Sequence, residues 1–146
     1  MARFHFPLEK VLHWRSVEFS IEEAKLKQLG QEQIRLQMQI SSLSAQMART
    51  MESVFALPNL RGDDLRAMAA YGAALRRRSA KLLERSARVE RELTVQRTKY
   101  AEAKRRMMLL EELRSRKFEN WRKEQESELE TVAAESFLSH WHRERL

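Results

Sequence analysis

The sequence predicts an all-α protein, an antiparallel two-helix coiled-coil hairpin whose second helix is the longer one. Positions spaced by heptads form seam series on both sides of residues 58–62, and eleven of the fifteen seam positions before this break are apolar. Sustained heptad spacing keeps one stripe of a helix against a neighbouring helix. The composition agrees, since 34% of the residues are charged and only three are glycine and two proline, which favours long helices.

The first helix is expected over about residues 7–57. Pro7 suits its first turn, where a missing N–H costs nothing, and Phe4 and Phe6 are placed to pack back onto the first turns. Pro58 ends the helix because a residue that precedes proline is displaced from the helical region. The expected seam residues are Leu8, Leu12, Arg15, Phe19, Glu22, Leu26, Leu29, Gln33, Leu36, Ile40, Leu43, Met47, Thr50, Val54 and Leu57.

Residues 58–62 are the expected turn, and the second helix is expected over about residues 63–142. Asp63 is the expected N-cap, and Asp64 adds favourable charge at the start of the helix. After Gly72 this helix contains neither glycine nor proline, so nothing is expected to end it early. Its seam residues are Leu65, Met68, Gly72, Leu75, Ser79, Leu82, Ser86, Val89, Leu93, Gln96, Tyr100, Ala103, Met107 and Leu110.

The two predicted helices differ in length. With antiparallel pairing from the turn, Leu8 lies beside Glu112, so the later residues of the second helix overhang without a partner helix. The seam slips by one residue between Leu110 and Phe118, which is typical of a stutter. Residues 4–6 are expected to cover part of the overhang. Its apolar residues are Leu113, Phe118, Trp121, Leu129, Val132, Phe137, Leu138 and Trp141.

The sequence leaves three features of this hairpin open. Apolar residues off the seam of the first helix either form a binding face or are scattered surface residues; they are Val17, Ile21, Ala24, Ile34 and Met38. Small seam residues one heptad apart either let the helices approach closely or loosen the seam; they are Gly72, Ser79 and Ser86. Gln33 and Gln96 occupy seam positions, and the pattern does not decide whether they pair with each other.

The net charge of +7 is distributed unevenly along the chain. Residues 8–57 carry six basic and six acidic residues, residues 63–118 carry sixteen basic against eight acidic, and residues 119–146 carry four basic against seven acidic. The basic residues cluster at residues 76–78 and 104–106. Such a stripe either attracts phosphates, anionic lipid or an acidic protein surface, or is simply the solvated face of a long helix.

The sequence favours neither an enzyme nor a cofactor or metal site. The chain lacks cysteine, which excludes disulfides and thiolate metal sites, and its histidines lack the i, i+4 spacing of helical zinc ligands. It has no glycine-rich phosphate loop, and a two-helix coil offers no water-poor cleft for catalysis. No apolar run is long enough to span a bilayer, so we expect the protein in the cytoplasm. We expect a single domain, residues 1–146.

Two segments near the ends of the chain carry more specific motifs. Residues 4–15 read FHFPLEKVLHWR, an aromatic-x-aromatic pair that leads into Leu-Glu-x-Val-Leu and a basic residue. Residues 109–126 contain LLEEL, then Lys117 and WRKEQE. Together with Tyr71 and Leu75 just after the turn, these segments resemble the flagellar FliJ family, and the resemblance spans nearly the whole chain.

The resemblance implies a non-enzymatic cytoplasmic component of the bacterial flagellar type III export apparatus, associated peripherally with the inner membrane through its partners. Members of that family are stalk-like coiled coils that insert into the hexameric export ATPase ring, contact the membrane export gate and assist export chaperones. The residues expected to contact the ring are Phe4, Phe6, Leu8, Val11, Trp14, Leu113, Phe118, Trp121 and Val132. Those expected to contact the gate are Met47, Met51, Tyr71, Leu75 and Arg78.

Other interpretations remain open at this point. The basic clusters at residues 76–78 and 104–106 suit a nucleic-acid or anionic-surface binder, although no recognition-helix module accompanies them. In a homodimeric coiled-coil spacer without a hairpin, residues 58–62 would form only a kink. The pattern also fits a generic coiled-coil adaptor, or the equivalent stalk of a virulence type III secretion system.

Overall fold

The predicted all-α hairpin is confirmed in a computed structural model that describes residues 2–146. Helix α1 spans Glu9–Phe55 and helix α2 spans Gly62–Glu144, and no strand occurs within the described residues. Hydrogen bonds between side chains show how the two helices run relative to each other. Gln46 of α1 bonds Tyr71 of α2, and Gln33, which comes earlier in α1, bonds Ser86, which comes later in α2. The helices are therefore antiparallel, and α2 is the longer.

The ends of α1 lie two residues inside the predicted ones. The amide of Glu9 donates to the carbonyl of Phe6 at 3.1 Å, and the amide of Leu12 donates to the carbonyl of Leu8 at 2.9 Å. Pro7 therefore belongs to the turn that leads into the helix. At the other end, the amide of Leu57 donates to the carbonyl of Val54 at 3.2 Å. This i to i−3 bond tightens the last turn before Pro58.

The start of α2 corrects the prediction that Asp63 is the N-cap. The amide of Leu65 donates to the carbonyl of Arg61 at 3.2 Å, which makes Arg61 the capping residue. The Asp64 carboxylate, three residues on, accepts from the Arg61 amide at 3.1 Å, as the acidic residue of a capping box does. Asp63 instead lies on the surface, with its nearest cation, Arg66, at 3.9 Å.

The chain forms two compact units, one from a continuous stretch and one from the two ends of the sequence. The hairpin unit is Ser20–Ala101 and contains the turn. The terminal unit comprises the chain up to Phe19 together with the chain from Glu102 onward. Nearly all predicted seam residues are partly or fully buried, and the exceptions are Leu8, Leu57 and Leu65. The heptad pattern therefore identified the packed face of each helix.

The main apolar cluster of the hairpin unit is centred on three nearly inaccessible residues. Leu36 and Val89 are each 3% exposed and Leu93 is 5% exposed, and they pack in one cluster. Partly buried leucines complete this cluster; they are Leu26, Leu29 and Leu82. Burial of aliphatic side chains on facing seams contributes about 25 cal/mol per Å² of apolar area removed from water, and is the main stabilising term of the hairpin.

Two polar layers interrupt this core, one around Gln33 and one around Gln96. The two glutamines do not pair with each other. The Gln33 side-chain amide donates to the Ser86 hydroxyl at 3.2 Å. The Gln96 side-chain amide donates to the main-chain carbonyl of Glu22 at 3.1 Å and also to the Glu22 carboxylate. Within residues 2–146 no buried side-chain nitrogen or oxygen lacks a hydrogen-bond partner.

The structure also shows the surroundings of the off-seam apolar residues of α1 and of Gly72, one of the small seam residues of α2. Ile21 and Met38 are exposed, as are the other off-seam apolar residues of α1. At Gly72 an added Cβ would meet only the end of the Arg76 side chain, at 4.0 Å. Apart from its own helix backbone, nothing else lies within 4 Å of that Cβ position, so α1 does not exclude a side chain at Gly72.

Spin labels at Leu12 and Met107 test the antiparallel pairing in the terminal unit. Both residues are partly buried seam positions. Packed helix axes lie about 8–10 Å apart, so the labels are expected within about 20 Å of each other. The measurement is a dipolar distance in doubly labelled protein diluted with unlabelled protein. A control pair at Leu12 and Phe137 should be far longer, because 30 residues of helix rise about 45 Å.

Candidate protein-binding surfaces

An aromatic cluster in the terminal unit joins the N-terminal segment to α2. The ring of Phe4 lies 5.2 Å from that of Phe118, edge to face, and 5.8 Å from that of Trp121. Phe118 and Trp121 stack at 5.7 Å. The Arg114 guanidinium lies 5.6 Å from the Phe4 ring and pairs with Glu9 at 2.9 Å. The N-terminal segment is thus fixed on α2, as residues 4–6 were expected to be.

Phe6 occupies a different environment from the other predicted ring-contact residues. Its side chain is only 3% exposed, so it packs within the chain and presents almost no surface. A buried aromatic side chain removes a large apolar area from water. Phe6 therefore supports the position of the N-terminal segment, while its neighbour Phe4 takes part in the aromatic cluster.

The remaining predicted ring-contact residues all belong to the terminal unit, and most are exposed. Trp14 is 57% exposed, with the Arg15 guanidinium 4.5 Å from its ring centroid. Val132, in the overhang, is 61% exposed, and Trp121 is partly buried. The others that present a substantial apolar surface are Leu8, Val11, Leu113 and Phe118. Exposed aromatic and aliphatic groups of this kind are typical of protein interfaces.

A groove of about 370 Å³ lies beside the aromatic cluster. Ala2 of the N-terminal segment forms one side, and the rest comes from α2: Trp121, Gln125, Glu128, Leu129 and Val132. Leu129 was not among the predicted contact residues. Its spacing, four residues after Gln125 and three before Val132, places it on the same helix face, so the helical period already contained that signal.

The predicted gate-contact residues lie in the hairpin unit but do not form one site. Met47, Met51 and Tyr71 line a groove of about 240 Å³. Leu75 is 7% exposed and belongs to the seam, and Arg78 lines a different groove, with Gln39, Ser42, Leu43, Gln46 and Leu82. The residues of the first groove that the prediction missed are Thr50, Met68, Ala69, Gly72 and Arg76.

The methionine-lined groove has a chemistry suited to binding another protein. Met47, Met51 and Met68 supply flexible, polarizable side chains, which adapt to the shape of a partner. Gly72 adds no side chain to the groove, and Arg76 provides a cation at its edge. Near it, the Gln46 side-chain amide donates to the Tyr71 hydroxyl at 2.7 Å and so fixes the tyrosine ring.

The basic residues of α2 fall into two groups. Some pair across the helices: Arg85 lies 2.9 Å from Glu32 in the hairpin unit, and Arg106 lies 3.4 Å from Glu18 in the terminal unit. The exposed cations for which residues 2–146 offer no ion pair include Arg76, Arg77, Arg78, Lys81, Arg88, Lys104 and Arg105. The charge stripe is therefore partly used by the fold and partly free for a ligand.

The described part of the chain contains neither a candidate metal cluster nor a candidate membrane span. Among residues 2–146, no group of three or more His, Asp or Glu side chains is placed to hold a metal ion. Neither helix, over the same residues, contains a stretch long and apolar enough to cross a lipid bilayer.

Comparison with protein-family models, curated proteins and solved structures finds no match for this chain.

Proposed function

We propose that this protein is a non-enzymatic, stalk-like component of the bacterial flagellar type III export apparatus. In this role the terminal unit contacts the hexameric export ATPase ring, the hairpin unit contacts the membrane export gate, and the protein assists export chaperones. It acts in the cytoplasm, at the inner membrane, and associates with the membrane only through its partners. The proposal rests on the resemblance of the two end motifs to the flagellar FliJ family.

The observation that best supports the proposal is the meeting of those two motifs. Phe4 belongs to the N-terminal motif, and Phe118 and Trp121 lie in the C-terminal segment, yet their rings are within 6 Å of one another. Phe4 and Phe118 lie 114 positions apart in the sequence. Two motifs that form one surface are a more specific signal than heptad spacing, which any coiled coil has.

The methionine-lined groove supports the second half of the proposal. It gathers Met47, Met51 and Tyr71 beside the turn, in one exposed concave surface. A contact made there and a contact made in the terminal unit use different residues. The same protein would therefore be able to engage a ring and a gate protein through separate surfaces.

Trp14→Ala is the variant that tests the ring contact. Trp14 is 57% exposed, so the substitution should leave helicity unchanged, while exposed tryptophans at interfaces commonly contribute tenfold or more in affinity. We expect the concentration of this protein that half-maximally stimulates ATP hydrolysis by the export ATPase of its own cell to rise about tenfold. The measurement is a titration of ATPase rate, with circular dichroism on the same samples.

Trp141→Ala is the matched control, because Trp141 is 46% exposed and lies outside the predicted contact residues. It should leave the stimulation unchanged. Absence of both stimulation and binding with the unmodified protein would contradict the proposed function. An equal loss in the Trp14 and Trp141 variants would instead contradict the assignment of the contact to residues around Trp14.

A further inference from the structure

The outward face of α2 in the hairpin unit carries a row of cations that the fold does not use. Arg77, Lys81 and Arg88 are exposed, and none of them forms an ion pair within residues 2–146. Their spacing of four and seven residues places them on one side of the helix. We name these three residues the basic row.

The overhang of α2 carries carboxylates with the same spacing. Glu124, Glu128 and Glu135 are exposed and follow one another at four and seven residues. Within the described residues they also lack an ion pair, whereas Glu119 and Glu126 pair with the neighbouring Arg122. We name the three unpaired residues the acidic row.

The two rows match in register as well as in charge. When two helices lie side by side and parallel, Arg77 faces Glu124, Lys81 faces Glu128 and Arg88 faces Glu135, because each pair is separated by the same 47 positions. The one acidic residue inside the basic row, Glu84, then faces Thr131 and meets no like charge.

Apolar surface extends the match by one more turn. At the same offset Arg91 faces Leu138, which is 59% exposed. The aliphatic stem of an arginine covers apolar surface while its charged group stays in water. The overhang also exposes Phe137 and Trp141, and such a large uncovered apolar surface on a helix is typical of an interaction site.

We propose that the basic row is a docking surface for the overhang of a second copy of this chain, so that the protein self-associates head to tail. The charge complementarity and the identical spacing of the two rows select this occupant. Because exposed ion pairs are individually weak, the association should be weak, with a dissociation constant between about 1 μM and 1 mM. It should also weaken strongly as salt screens the charges.

Charge exchange between the two rows tests this proposal. One variant carries Arg77→Glu, Lys81→Glu and Arg88→Glu, and the other carries Glu124→Lys, Glu128→Lys and Glu135→Lys. Sedimentation velocity at about 50 mM salt, where screening is incomplete, should show the mass of the unmodified protein rising with concentration above 17.4 kDa. Each variant alone should associate at least about tenfold more weakly, because like charges then face each other. An equimolar mixture should regain association, since the reversed rows complement each other.

The matched control changes three exposed cations of α1, Lys27→Glu, Arg35→Glu and Arg49→Glu. It lowers the net charge from +7 to +1, as the basic-row variant does, so a difference between the two reports position rather than total charge. The control should associate like the unmodified protein, and circular dichroism should show equal helicity in all of them.

Three results would overturn the proposal. The first is an unmodified protein that remains a monomer at low salt up to millimolar concentration. The second is association that survives in either reversed variant or disappears equally in the α1 control. The third is a mixture of the two variants that fails to associate. If the monomer instead binds duplex DNA or anionic vesicles through the basic row, that row recognises a polyanion and not a second copy.

Discussion

Leu36→Ala is expected to lower the free energy of unfolding by about 3 kcal/mol, because it removes most of a buried leucine side chain and leaves a cavity. Leu36 is 3% exposed and packs against Val89 and Leu93 at the centre of the hairpin unit. A two-helix unit has few other core residues with which to fill the space. The measurement is urea unfolding followed by circular dichroism, analysed with a common slope.

Ile34→Ala is the matched control for this prediction. Ile34 lies two residues away in the same helix and is 58% exposed, so its loss should change stability by less than about 0.5 kcal/mol. A similar effect of the two substitutions would contradict the assignment of Leu36 to the core. It would also contradict the hairpin, because the burial of Leu36 depends on α2 lying across it.

Gln96→Glu is expected to destabilise the protein by about 3 kcal/mol at pH 7, since a buried charge without a partner is strongly unfavourable. Gln96 is 7% exposed, and its amide donates to both the carbonyl and the carboxylate of Glu22. The substitution replaces this donor with a second carboxylate. Two carboxylates in contact repel each other and lose the hydrogen bonds that joined the helices.

The destabilisation caused by Gln96→Glu should be larger at neutral pH than at acidic pH. Burial and the neighbouring Glu22 carboxylate raise the pKa of the introduced carboxyl in the folded state above its unfolded value of about 4.3. A group with a raised folded pKa contributes its stability below the unfolded pKa and loses it as the pH rises through the folded pKa. The difference from the unmodified protein should therefore be largest at neutral pH and shrink as the pH falls toward about 4.

Gln31→Glu provides the control with the same chemistry on the surface. Gln31 is exposed in α1, with Lys27 and Arg35 one turn away on either side, so the new charge is tolerated or slightly favourable. Thermal unfolding at pH 7 and pH 4 compares the two variants. A difference of 3 kcal/mol corresponds to roughly 10 °C in Tm, and a Gln96 variant that unfolds like the Gln31 variant would show that the polar layer does not join the helices.

Local sequence rules predicted the helix ends only approximately. The prediction of Asp63 as N-cap followed the usual preference for a short acidic side chain at that position. In the structure the N-cap is Arg61, two residues earlier, and the Asp64 carboxylate in the first turn accepts a hydrogen bond from the Arg61 amide. Residue preference alone therefore fixed neither the position of the N-cap nor the carboxylate that accepts a hydrogen bond there, because neighbouring residues can satisfy the free donors of a helix start.

The candidate binding surfaces were predicted less completely than the fold. The sequence placed Met47, Met51 and Tyr71 near one end, but it did not separate them from the buried Leu75. It also missed Met68, which lies in α2 three residues before Tyr71 and lines the same groove. Grooves between helices depend on which side chains face each other, and that requires the register of the pairing.

The sequence by itself determined the all-α hairpin, the packed face of each helix and the unpaired overhang, because a 3.5-residue apolar period and one Pro-Gly break are local properties of the chain. Tertiary structure alone decided the partners of Gln33 and Gln96, the burial of Phe6 and the packing of Phe4 on Phe118 and Trp121. The physical reason is that heptads repeat. A repeating pattern permits several registers, and only the specific packing and hydrogen bonds between the helices select one of them.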